Sequence, residues 1–129
     1  MDYFHLQVEK DRINQISSLG LAHVGDGVYE LMVRSWLVLH GMHKATVRYV
    51  AAPAQAERAE RILPQLTQEE QDVFRRGRNS SPHTIPKAAS REQYQTATAL
   101  EALFGWLWLR GETGRLNELF ERMMEPGEE

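Results

Sequence analysis

Two acids stand out by their surroundings. Asp26 lies between Gly25 and Gly27 in residues 19–39, LGLAHVGDGVYELMVRSWLVL, where Leu19, Leu21, Val24, Val28, Leu31 and Met32 recur at helical spacing. Glu101 is the single charge in the fourteen residues 96–109. An ionised carboxylate on a helix that packs into a core is costly unless it meets a cation or several hydrogen-bond donors. Each glycine inside a helix also loses about 1 kcal/mol relative to alanine. Bare backbone at such positions leaves room for something to approach. One arrangement accounts for these features, with Glu101 opposite Asp26 and the two acids sharing a divalent cation. Magnesium takes oxygen ligands, keeps several waters and can be held by one or two protein carboxylates. The alternative is that each acid simply faces solvent at the edge of its helix.

A second group is basic. From Arg75 to Arg91 there are five Lys or Arg residues and no Asp or Glu, with Arg75, Arg76, Arg78, Asn79, Ser80, Ser81, His83 and Lys87 in one run. Acids collect elsewhere, at Glu57, Glu60, Glu69, Glu70, Asp72 and in the tail at residues 125–129. The formal net charge of −3 argues mildly against a nucleic-acid binder. A local basic strip on an acidic chain can nevertheless hold a polyanion, and Arg, Lys and short polar side chains suit the phosphates and 2′-hydroxyls of duplex RNA. Lys44 and Arg48 extend the same track.

The elements that must position these groups are helical. The 129 residues suit one domain, with 42% hydrophobic and 26% charged residues as in ordinary globular proteins. Residues 1–18 read as a short helix or ordered lead-in. The apolar helix around Asp26 ends at Gly41, a glycine suited to a left-handed cap. A short helix over residues 43–50 and a second over 53–62 meet at Pro53. Thr67-Gln68-Glu69-Glu70 is a capping box that opens a helix running to about Arg76. Residues 77–89, rich in Gly, Asn, Ser and Pro, read as a surface loop. Ser90-Arg91-Glu92-Gln93 is another capping box, opening the most apolar helix; Gly111 and Gly114 end it. Leu116, Leu119, Phe120 and Met123 form the stripe of a last short helix. No segment alternates as a strand does, so the fold class is all-α, a bundle of six or seven helices.

The absence of cysteine excludes disulfides and thiolate metal sites. No terminal apolar run suits a signal peptide or membrane span, which makes the cytoplasm the expected location. His40 and His43 are three apart but lack a third metal-ligating partner. Glu57 and Glu60 form an E-x-x-E pair of the kind a helical nucleotide pyrophosphatase would need, although Arg58 and Arg61 beside them suit surface ion pairs better.

Leu21-Ala22-His23-Val24-Gly25-Asp26-Gly27-Val28-Tyr29-Glu30 resembles the signature helix of the ribonuclease III family, and Leu100-Glu101-Ala102-Leu103-Phe104-Gly105 resembles its second acidic helix. With Arg76-Gly77-Arg78-Asn79-Ser80 between them, residues 13–124 are similar to the short, mini branch of that family, which lacks a double-stranded-RNA-binding domain. The resemblance implies the endonuclease fold of that family and hydrolysis of double-stranded RNA with Mg2+, for which Mn2+ can substitute. It assigns metal ligation and catalysis to Asp26 and Glu101, and RNA contact to Arg75, Arg76, Arg78, Asn79, Ser80 and Lys87. It further implies maturation of large-subunit (23S) ribosomal RNA precursor ends, with a large-subunit ribosomal protein as a possible presenter of substrate. A twofold homodimer follows from the family and from the need to cut two strands, with Tyr29, Met32, Val33 and Trp36 as contact candidates. In one respect the sequence departs from the family. Ala22 and Thr98, each one turn before an acid of the pair, stand where two further acids are usual. A catalytically silent RNA-binding or assembly module is therefore the rival reading.

Overall fold

The computed structural model describes residues 1–80 and 90–125. After an extended lead-in come α1 (Lys10–Asn14), α2 (Ser18–Leu39), α3 (Thr46–Val50), α4 (Ala52–Ile62), α5 (Gln68–Asn79), α6 (Arg91–Leu109) and α7 (Thr113–Met124), with 3-10 turns at His43–Ala45 and Leu63–Gln65. The described residues contain no strand. The expected all-α class is observed.

Helix α6 is the central post. Eleven of its nineteen residues are buried, and α2, α4, α5 and α7 all pack on it. It is apolar nearly all round because it is covered nearly all round. Its start is fixed locally. Ser90 accepts from the Gln93 backbone N–H at 3.1 Å, and the Gln93 side chain accepts from the Ser90 N–H at 3.1 Å. The same reciprocal cap joins Thr67 and Glu70 at the start of α5. Gly41 (φ +69°) and Gly111 (φ +78°) take left-handed backbone just beyond α2 and α6.

Glycine sets how closely α2 meets α6. A Cβ added at Gly25 would overlap the backbone carbonyl of Glu101, and one at Gly105 would overlap the carbonyl of Leu21. The two backbones therefore touch at this crossing. Gly27 differs, since nothing lies within 4 Å of where its Cβ would stand. Only the first of the two glycines flanking Asp26 serves a close approach.

Three expectations change. Helix α5 continues to Asn79, so Gly77, Arg78 and Asn79 belong to a helix and not to the loop predicted from 77 onward. The reason is tertiary: Gly77 is buried against Ala99 and Ala102 of α6, where a larger residue would not fit. Gly114 lies inside α7 and does not help to end α6. Tyr29 and Val33, expected at a subunit contact, are fully enclosed in the chain's own core, with the Tyr29 ring edge-on to Phe104 at 5.7 Å. Met32 and Trp36 remain partly exposed.

Candidate functional site

The contact between Gly25 and Glu101 brings the acid after Gly25 against the acid on α6. Asp26 hydrogen-bonds the Glu101 carboxyl and repels its charge. Their environments differ. Asp26 is exposed, at the solvent-facing edge of its helix as the alternative reading allowed, whereas Glu101 is mostly enclosed. Burial pushes the Glu101 carboxyl up to about 8, the neighbouring Asp26 adds to the rise, and a hydrogen bond from Gln55 opposes it. Burial and the neighbouring acid both disfavour the ionised form of Glu101.

Helix α4 closes the third side. Pro53 in its first turn suits a helix start, and Gln55, Ala56, Ala59 and Ile62 form its buried face. Gln55, 4% exposed, donates from Nε2 to the Val50 carbonyl at 2.8 Å. One turn on, the Arg58 guanidinium lies over the Tyr49 ring at 4.2 Å. The Tyr29 hydroxyl donates to the Tyr49 carbonyl at 3.4 Å. Burial pushes that hydroxyl up to about 12, Glu101 adding to the shift and Arg58 opposing it. Gln55 did not stand out in the sequence, and Arg58, read there as a surface ion-pair partner, lies instead over Tyr49. A polar residue at the apolar spacing of a helix was the only available signal for Gln55.

The site offers oxygen donors only. Among the described residues no group of three or more His, Cys, Asp or Glu side chains gathers, so a cation would rest on a carboxylate pair. Such a donor set fits Mg2+ or Mn2+ and not a metal that prefers nitrogen or sulfur. Ala22 and Thr98 are both buried, and the Thr98 hydroxyl donates to the Tyr94 carbonyl at 3.0 Å. They bring no further carboxylate to the pair.

The basic run divides. Arg75, Arg76, Arg78 and Asn79 are exposed on the last turns of α5, and Ser80 caps the helix with its hydroxyl on the Arg76 carbonyl at 2.6 Å. Arg75 pairs with Asp72 at 3.2 Å and Arg78 with Glu92 at 3.8 Å. Acids absent from the run in sequence therefore reach it in space. Ser81, His83 and Lys87 lie outside the described residues, as do residues 126–129 of the tail. Lys44 and Arg48 are exposed on the segment before α4. Glu57 pairs with Arg61 at 3.5 Å, the surface role that its sequence neighbours suggested.

Residues 19–112, most of the chain, match the Ribonuclease III domain family. The chain belongs to that family. Within it, a Mini-ribonuclease 3 of Thermoanaerobacter sp. is 42% identical over 126 residues, covering 93% of this chain and 89% of its own length. The Mini-ribonuclease 3 of Symbiobacterium thermophilum is 43% identical over 109 residues, covering 80% and 84%. That of Staphylococcus aureus is 32% identical over 124 residues, covering 90% and 92%. A crystal structure of a Fusobacterium nucleatum protein superposes with a TM-score of 0.81 at 27% identity, covering 92% of this chain and all of that one. The ribonuclease III fold thus carries the crossing of α2 and α6 that brings Asp26 to Glu101, and the resemblance first seen in the sequence places the chain in the mini branch.

Proposed function

We propose that this protein is a divalent-metal-dependent endoribonuclease that cuts double-stranded RNA, with Asp26 and Glu101 holding Mg2+, or Mn2+ in its place. The observation that carries this reading is a mostly buried glutamate set against a second acid, with its carboxyl pushed up to about 8. Such a pair is unfavourable by itself and becomes favourable around a cation. Held by Asp26 and Glu101, such an ion would supply the means to orient an attacking water and to neutralise charge on the phosphate. Asp26, at the exposed edge, faces the side from which a phosphodiester arrives. Glu101, behind it, gives up its proton as the site loads, so loading improves as pH rises. The products would carry 5′-phosphate and 3′-hydroxyl ends.

Helix α5 supplies Arg75, Arg76, Arg78 and Asn79 for the RNA backbone, with Ser80 at its end and Lys87 beyond. Because this binding is largely electrostatic, cleavage should weaken steeply as salt rises. Two strands call for two sites, and a homodimer provides them. The apolar outer face of α2 suits that contact: Leu31 is 54% exposed, and a groove beside it is lined by Val28, Met32, Phe4, Trp108 and Leu116. Met32 and Trp36 remain the contact candidates from the earlier set. The substrate inferred from the mini branch is the 23S ribosomal RNA precursor in the cytoplasm, with a large-subunit ribosomal protein presenting its end stem. No described helix is long and apolar enough to cross a membrane.

The deciding experiment follows a labelled precursor stem with wild type, Asp26→Asn and Glu101→Gln, measuring cleavage and duplex binding together. Cleavage by wild type alone, with binding retained by both variants, supports the reading. Binding without cleavage by wild type would identify a silent module and make Ala22 and Thr98 the explanation.

A further inference from the structure

A glutamine on the buried face of a helix must satisfy both ends of its amide or lose the free energy of the unmet group. Gln55 satisfies one end. Its Nε2 donates to the Val50 carbonyl at 2.8 Å, and the N–H side of the amide lies toward Glu101, whose carboxyl it pulls down. Its Oε1 is buried and has no hydrogen-bond partner, one of two such side-chain atoms among the described residues. Exchanging the amide oxygen and nitrogen does not help, because an oxygen would then face the Val50 carbonyl. The amide orientation is fixed by that contact.

The orphaned oxygen belongs to a side chain that touches Glu101, itself beside Asp26. Side chains from three helices, α2, α4 and α6, thus meet at one place, and the Gln55 amide that turns its N–H toward Glu101 carries the unpaired Oε1 beside it. Adding another acceptor would worsen the arrangement, whereas a cation satisfies all three, and hard divalent cations accept amide carbonyl oxygens as well as carboxylates. We propose that Gln55 is a third protein donor to the divalent-cation site, its Oε1 joining the carboxylates of Asp26 and Glu101. The inference rests on the metal reading above and adds a residue to it. Gln55 supplies an oxygen without a third negative charge, where Ala22 and Thr98 bring no carboxylate.

The test separates this role from a purely structural one, because Gln55→Glu and Gln55→Met both lose the Nε2 bond to Val50 while only the first keeps an oxygen. Binding of Mn2+ to the full chain, without RNA, is followed by the paramagnetic resonance of free Mn2+ at about pH 8.5, where proton competition is weak. Circular dichroism checks the fold. Gln55→Met is expected to weaken Mn2+ binding by about tenfold, the scale of losing one supporting group at a metal site. Gln55→Glu is expected to bind at least as tightly as wild type, and Asp26→Asn to lose binding. Equal weakening in both Gln55 variants, or unchanged binding in Gln55→Met, overturns the proposal while leaving the metal reading intact. If Gln55→Met does not fold, Gln55→Glu decides, and weaker binding there overturns it. Failure of wild type to bind Mn2+, or equal binding by Asp26→Asn, overturns the metal reading and this inference with it.

Discussion

Two glutamates on the inner side of this chain are treated in opposite ways. Glu70, 4% exposed, meets Arg115, whose Nε and one terminal nitrogen donate to its two carboxylate oxygens at 2.8 Å each. Burial alone would raise the Glu70 carboxyl, but the hydrogen bonds from Arg115 and from the Thr67 backbone and hydroxyl hold it below its ordinary value. Glu101 has no such cation among the groups acting on it. Burial and Asp26 push it up to about 8, and Gln55 opposes them only in part. One helix pair recruits an arginine from forty-five residues away, while the other sets acid against acid. The difference teaches where to look for function. Glu70 is neutralised by Arg115, and Glu101 is left uncompensated beside Asp26, which is why the proposed cation is placed there.

The largest effect should come from breaking the unpaired side. Asp26→Asn or Glu101→Gln is expected to reduce Mg2+-dependent cleavage by at least about a thousandfold, roughly 4 kcal/mol of lost transition-state stabilisation. Duplex binding should persist in gel-shift measurements, and residual cleavage within tenfold of wild type would refute the assignment. The paired side should answer in stability instead. Arg115→Met leaves Glu70 buried without its cation and should cost about 3 kcal/mol in urea unfolding near neutral pH, the lower end for a broken buried pair. The Glu70 carboxyl is lowered on folding, so its contribution is present above its unfolded value of 4.5 and disappears as pH falls through the folded value. The penalty in Arg115→Met should therefore shrink on acidification, and a penalty independent of pH would show that Arg115 acts by packing alone.

The pH dependence of Glu101 should have the opposite sign. Its folded value of about 8 lies above the ordinary 4.5, so its contribution to stability is fully present below 4.5 and is lost as pH rises through 8. Without divalent metal, wild type should lose thermal stability relative to Glu101→Gln between those limits. Adding Mn2+ should restore it to wild type only. Parallel melting curves for the two proteins over this range would mean that Glu101 is not under strain, and the contrast with Glu70 would collapse.

How much of this was legible in the sequence follows from how local each signal is. The caps at Thr67 and Ser90 are four-residue patterns and were read with their partners. Asp26 and Glu101 were readable because a lone charge in an apolar run is conspicuous, and their separation of seventy-five residues was bridged by reading the two as one cation-holding pair, with the family resemblance in support. The Glu70–Arg115 pair was not readable, since nothing near Glu70 announces a guanidinium from α7; its sequence role ended at the capping box. Gln55 was hidden for the same reason, its value lying in what α2 and α6 bring to it. The end of α5 was misplaced because Gly77 signals a break by local preference, and packing against Ala99 and Ala102 overrides that preference. Tyr29 and Val33 were ambiguous because periodicity marks an apolar face without saying whether it meets the same chain or another.

The smallest predicted effect tests whether the two regions are independent. Thr67→Ala removes the side-chain acceptor of the Glu70 N–H, a 3.2 Å bond, and should cost about 1 kcal/mol, as loss of a helix N-cap does. The Glu70 carboxylate keeps Arg115 and still accepts from the residue-67 backbone, so its charge stays compensated. Helix α5 lies against α6, however, and a strained or shifted α5 would move Ala99 and Ala102, next to Glu101. If α6 is held rigidly by the helices around it, Thr67→Ala should lower the unfolding midpoint while leaving the Mg2+ dependence of cleavage unchanged. A shifted Mg2+ requirement would mean that the cap on one acid helps to place the other.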